Sequence, residues 1–199
     1  SMFQLGKLAI QSTVSTLGTT AIAAQAMTNM LEMLNGTAVI GVGIGLMTVV
    51  GQSLGAGRKD EAVYYMKKLM AFSEVFLIIC CAVVYALARP ITMIGGMEAK
   101  SAEMCLDMMF WITIVKPLVW TMGFVPGYGL RAAGDVKFSM ITSCITMWTF
   151  RFCLCVYLIR FRGFGPMAVW LGMFTDWTVR GIVFSLRFHS RKWLKHKVV

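Results

Sequence analysis

Val50-Gly51-Gln52-Ser53-Leu54-Gly55-Ala56-Gly57-Arg58-Lys59-Asp60-Glu61-Ala62 interrupts two apolar runs, each long enough to cross a lipid bilayer. A second basic, glycine-rich turn, Gly129-Leu130-Arg131-Ala132-Ala133-Gly134-Asp135, separates another pair in the same way. Hydrocarbon offers no partner to free backbone groups, so a span must be a closed helix of about 20 mostly apolar residues. Runs of that kind cover residues 20–50, 62–88, 105–130, 138–159 and 165–186. A sixth, 1–17, is short, starts abruptly and reads as the truncated end of a helix, which makes a fragment the expectation. The fold these runs dictate is an all-α polytopic membrane bundle of six helices, followed by a basic tail over 187–199.

Composition agrees with lipid as the solvent. Only 14% of residues are charged, against about a quarter in soluble domains, and mean hydropathy is +0.72. The apolar runs recur along the whole chain, so one signal peptide does not explain them. A net charge of +10 invites a nucleic-acid reading, but no basic face with interleaved aromatics lies outside the spans, and nucleic acid is not expected as a partner. The six cysteines have neither zinc nor redox spacing and read as small buried hydrophobes. No metal site or cofactor is expected.

Punctuation between the runs is local and chemical. Leu17-Gly18-Thr19 makes a tight turn, and Gly55 and Gly57 can take the left-handed conformation that ends a helix. Asp60 is then expected to cap the next helix, Arg89-Pro90 to stop it, and Gly95-Gly96 to open a loop. Gly41 and Gly45 form a small-xxx-small face suited to close helix approach. A nucleotide-loop reading of these glycines fails because they lie within a span.

Loops numbered alternately from the N-terminus divide the basic residues unequally. One side holds Lys7, Arg58, Lys59, Lys67, Lys68, Arg131, Lys137 and the tail's Arg187, Arg191, Lys192, Lys195 and Lys197. The other holds Arg89, Lys100, Arg160 and Arg162. The positive-inside rule then puts both termini and both glycine-rich turns in the cytoplasm of a plasma-membrane protein.

With the segments placed, the chain resembles the multidrug and toxic compound extrusion (MATE) family, in its C-terminal six-helix lobe. The resemblance rests on Leu17-Gly18-Thr19-Thr20-Ala21-Ile22-Ala23-Ala24-Gln25, the two glycine-rich turns, Trp148-Thr149-Phe150-Arg151, Gly165-Pro166-Met167-Ala168-Val169-Trp170-Leu171-Gly172-Met173 and Asp176-Trp177-Thr178-Val179-Arg180. Any one piece is weak, but together they run in order over nearly the whole chain. The resemblance implies one lobe of a two-lobe transporter, with the N-terminal lobe as its missing partner. It also implies export of amphipathic, often cationic, small molecules by alternating access, coupled to H+ or Na+ as the ion, and no enzymatic activity.

Such coupling needs a carboxylate or cation site in a polar pathway. Ionisable residues inside the spans are Glu32, Glu74, Lys116, Arg151, Asp176 and Arg180. Glu32 is the leading candidate, because Gln25, Asn29 and Glu32 share a helical face by their spacing, with Asn35 nearby. That stripe either faces a cavity or bonds a neighbouring helix. Several branches of the family carry an acidic residue within the fourth segment; here Trp120 stands ten before Leu130, and Lys116 is the nearest lysine. The coupling carboxylate is therefore Glu32 or lies outside these residues. Trp120 and Tyr128, with Trp111 and Phe124, could wall a cavity for flat cations. Pro117 and Pro126 weaken the fourth segment as candidate hinges. Asp176 and Arg180, one turn apart, suit a structural ion pair that Arg151 could join.

Three other readings compete. A lipid-linked precursor flippase would need several basic residues in the cavity. An intramembrane enzyme lacks a constellation, with His189 and His196 both in the tail. A non-transporting truncated remnant is the third.

Overall fold

The computed structural model describes residues 2–195. Ser1, which opens the first expected segment, and His196 and Lys197 of the basic tail lie outside them. Among the described residues the chain is helical with no strand: α1 (Met2–Ser15), α2 (Thr19–Gly55), α3 (Lys59–Ile94), α4 (Ala99–Ala132), α5 (Val136–Thr146), a π-helical stretch (Met147–Cys153), α6 (Leu154–Arg162) and α7 (Met167–His189), then a 3-10 turn (Lys192–Lys195). Four runs are long and apolar enough to cross a membrane: α2, α3, α4 and the continuous Val136–Arg162. The last expected span, now α7, is 23 residues long but is not among these. It carries Asp176 and Arg180 at its middle and meets the protein interior with much of its surface.

α4 is the axis of the bundle, packed by α7, α2 and α3. Its approach to α7 depends on missing side chains. A Cβ at Gly123 would lie 2.9 Å from the Trp177 carbonyl oxygen, and one at Gly181 3.2 Å from the Met122 Cβ. By contrast α3 buries a single stripe, Ala62, Met66, Ser73, Leu77, Cys81 and Ala88. Phe72, Val75, Ile78, Ile79 and Val83 are left exposed on the other side of the helix.

The two glycine-rich turns are one motif used twice. In the first, Gly57 N donates to Leu54 O at 3.0 Å and Arg58 N to Ser53 O at 2.9 Å. In the second, Gly134 N donates to Arg131 O at 3.1 Å and Asp135 N to Leu130 O at 2.9 Å. Gly57 and Gly134 have φ of 76° and 83°, so each turn is a glycine-ended Schellman cap that satisfies the helix's last carbonyls. Asp135 also ties the second turn to α7, accepting from Arg187 Nε at 2.8 Å.

Three local expectations change. Asp60 is not a cap: α3 already begins at Lys59, so Asp60 and Glu61 fall in its first turn, where a carboxylate meets the helix dipole. Pro90 does not stop α3, which runs through it to Ile94 and ends at Gly95-Gly96. A proline inside a helix removes one backbone hydrogen bond, and membrane helices carry such a residue without ending. Nor does the Gly41/Gly45 face receive a helix among the described residues; nothing there would meet a Cβ at either position within 4 Å. Gly43, on the opposite side of α2, is the one that matters, since a Cβ there would lie 2.7 Å from the Tyr128 ring. Of the cysteines, Cys81, Cys105 and Cys155 are buried, whereas Cys153 is exposed.

Candidate functional site

A cleft of about 590 Å³ opens between α1, α2, α4, the π-helical stretch and α7. The polar stripe of α2 forms one wall, because positions 25, 29 and 32 recur on one helical face. Gln25, Asn29 and Glu32 all line it. They also bond outwards and to one another. Trp170 Nε1 on α7 donates to Gln25 Oε1 at 3.2 Å, and Gln25 Nε2 donates to Asn29 Oδ1 at 3.3 Å. Cavity face and helix-bonding face are thus one surface.

Glu32 meets Lys116 of α4. The Lys116 ammonium donates to Glu32 Oε1 at 2.5 Å, to the Glu32 carbonyl at 3.1 Å and to the Asn35 side-chain oxygen. An ammonium has three donors, and all three are used on α2. Lys116 is fully buried while the Glu32 side chain keeps 21% of its surface exposed, so the pair is dry on the lysine side and faces the cleft on the carboxylate side. Gly36 makes room, since a Cβ there would lie 3.3 Å from Nζ. The Trp120 ring lies 5.4 Å from Nζ, within cation–π reach.

The opposite wall is aromatic. Trp120 and Phe124 stack with centroids 4.8 Å apart, and Trp177 meets Phe124 edge-on at 6.3 Å. Behind them Arg180 Nη2 donates to both Asp176 oxygens at 2.8 Å and to Thr146 Oγ1 at 3.4 Å. Both partners are buried and near-neutral as a unit. Arg151 does not complete this network. Among the described residues it forms no ion pair, and its buried Nε has no hydrogen-bond partner; it lines the cleft instead.

The remaining candidates lie apart from the cleft or within its frame. Asn35 is fully buried behind the wall, holding Lys116. Tyr128 is off the cleft, packed on Gly43 with the Arg131 guanidinium 4.6 Å above its ring. Pro117 and Pro126 sit inside an α4 that continues unbroken to Ala132. Trp111 is half exposed on the outer face. Sequence reasoning missed that Lys116 is Glu32's partner and that Arg151 faces the cleft. A lone lysine in a span was the available signal for the first, because such a group needs a carboxylate or a carbonyl cage.

The cleft thus combines a polar stripe, an aromatic wall and buried ion pairs within one helical bundle. Comparison with known proteins decides the family: the MatE profile matches residues 1–157. The chain belongs to the MatE family. MatE proteins are multi-pass membrane transporters, not enzymes. A probable multidrug resistance protein NorM of Thermotoga maritima is 22% identical over 198 residues, which is 100% of this chain and 42% of that protein. The FAD transporter of Shewanella oneidensis is 28% identical over 62% of the chain and 27% of its own length. The uncharacterized transporter YisQ of Bacillus subtilis is 38% identical over 33% of the chain and 14% of its own length. The chain thus spans less than half the length of these MatE relatives.

Proposed function

We propose that these residues are the C-terminal lobe of an H+- or Na+-coupled antiporter that exports amphipathic small molecules across the plasma membrane by alternating access. The observation that carries this reading is the cleft, walled by the α2 stripe on one side and Trp120, Phe124 and Trp177 on the other. Its volume lies within the range of about 300–1,000 Å³ usual for small-molecule sites. A missing N-terminal lobe would close the cleft, and lipid would cover the exposed face of α3.

For Glu32 to take up a proton or a sodium ion it must exchange Lys116 for that ion. The pair is then a two-state element, joined or parted, and the ion favours the parted state. Pro117, next to Lys116, gives α4 a bending point for the parting. Because Glu32 spends its charge on Lys116, the cationic preference expected from sequence has no unpaired carboxylate behind it among the described residues that line the cleft. The flippase reading weakens for a related reason: Lys116 and Arg180 are both paired, leaving too few cations for a pyrophosphate.

Arg187 joins α7's end to the second glycine-rich turn, which supports one shared, basic and cytoplasmic end. A fluorescent protein fused after residue 199 should therefore mature, as it does only in the cytoplasm. Transport is tested in cells stripped of their own efflux pumps and expressing the full-length protein. It should lower accumulation of amphipathic dyes, and collapse of the proton or the sodium gradient should abolish the effect. A protein that lowers accumulation of no dye under either gradient contradicts the reading.

A further inference from the structure

We infer that the cleft of this lobe selects flat amphipathic anions, with the Arg151 guanidinium as the group that receives the anionic charge. The inference rests on the antiporter reading for its context and on the charges around the cleft for its content. Among the described residues the cleft-facing cations are Lys7 and Arg151, and the one carboxylate lining it is Glu32. Glu32 is neutralised by Lys116. The charges that face Arg151 from the neighbouring helices are Asp176, Arg180 and Glu32. Asp176 is held through both oxygens by Arg180 Nη2, so each carboxylate near Arg151 already has its own cation. The wall is left with a positive excess, located at Arg151.

The backbone is shaped to put Arg151 there. Met147–Cys153 is π-helical within an otherwise α-helical span, and such bulges shift the facing of the side chains they carry and recur at functional sites. α7 lies tight against this stretch, because a Cβ at Gly172 would fall 2.8 Å from the Arg151 carbonyl oxygen. The carbonyl is thereby pressed onto α7 while the side chain lines the cleft. Its buried Nε has no partner among the described residues, and a buried donor without one carries a desolvation penalty that an acceptor would remove. A planar guanidinium matches carboxylate, sulfonate and phosphate oxygens in a two-bond fork. Beside it, the stacked Trp120 and Phe124 offer a flat apolar surface for the rest of the ligand.

The test uses purified full-length protein and two probes of similar size and flatness, naphthalene-2-sulfonate and N-methylquinolinium, with dissociation constants from calorimetry. The sulfonate should bind about tenfold tighter or more, the scale of one charge-assisted contact. Arg151→Met should remove that advantage by weakening sulfonate binding about tenfold, with quinolinium binding as tightly as before or more tightly because a repelling charge is gone, and Arg151→Lys should keep part of the advantage. Equal or tighter binding of the quinolinium by the wild type overturns the inference, as does an Arg151→Met protein with unaltered sulfonate affinity. If Arg151→Met does not give a monodisperse protein, the wild-type preference and Arg151→Lys decide. A wild type that prefers the sulfonate but exports no dye would refute the antiporter and leave this inference standing. One that exports dyes without that preference would refute this inference alone.

Discussion

The ammonium of Lys116 on α4 lies 2.5 Å from Glu32 Oε1 on α2, joining residues 84 apart in the chain. It is a buried, charged link between the axis of the bundle and the wall of the cleft. The asymmetry of the pair sets its behaviour: the lysine has no access to water, and the carboxylate has some.

Removing one partner strands the other. Lys116→Met should destabilise the protein by about 3–5 kcal/mol, the usual cost of an uncompensated buried charge. Lys116→Met combined with Glu32→Gln should recover most of that loss. Thermal unfolding of the purified variants in detergent measures both, and a double variant no more stable than Lys116→Met would show that the pair is not coupled.

Glycine substitutions should separate packing from mere composition. Gly123→Ala forces a methyl against the Trp177 carbonyl and should cost about 1–3 kcal/mol, as overpacking does. Gly41→Ala meets nothing within 4 Å and should be neutral or stabilising by up to about 1 kcal/mol through helix propensity. The same melting experiment checks the contrast, and similar midpoints for the two variants would contradict the α4–α7 approach.

The first turn offers a sharper pair. Gly57 has φ of 76°, where a side chain costs about 1–2 kcal/mol, so Gly57→Ala should lower stability. Gly55 lies two residues earlier, still inside α2 and with open space around it, and Gly55→Ala should not. Equal effects in denaturant titrations would place the helix end elsewhere.

These turns were legible in the sequence because their chemistry is local: a glycine, its neighbours and the end of an apolar run suffice. Pro90 misled because a proline within a membrane helix need not end it, as Pro117 and Pro126 inside α4 also show, and only the Gly95-Gly96 pair beyond it fixes the end. The α2 stripe was legible by spacing alone. Its partners were not, since periodicity says which face is polar and nothing about which helix meets it; Lys116 and Trp170 are tertiary facts. The π-helical stretch had no sequence mark either, as Met147–Cys153 contains no glycine or proline. Hence Arg151, expected to be able to join the Asp176–Arg180 pair because its segment precedes theirs, lines the cleft.

Ion-coupled transport through Glu32 is tested most directly in proteoliposomes carrying the full-length protein. Dye exchange is followed under an imposed proton or sodium gradient, with wild type and Glu32→Gln matched for folded protein. One of the two gradients should drive exchange by the wild type, and the same gradient should drive none above background by Glu32→Gln. Gradient-driven exchange by Glu32→Gln at the wild-type rate would contradict the assignment of Glu32 as the coupling carboxylate.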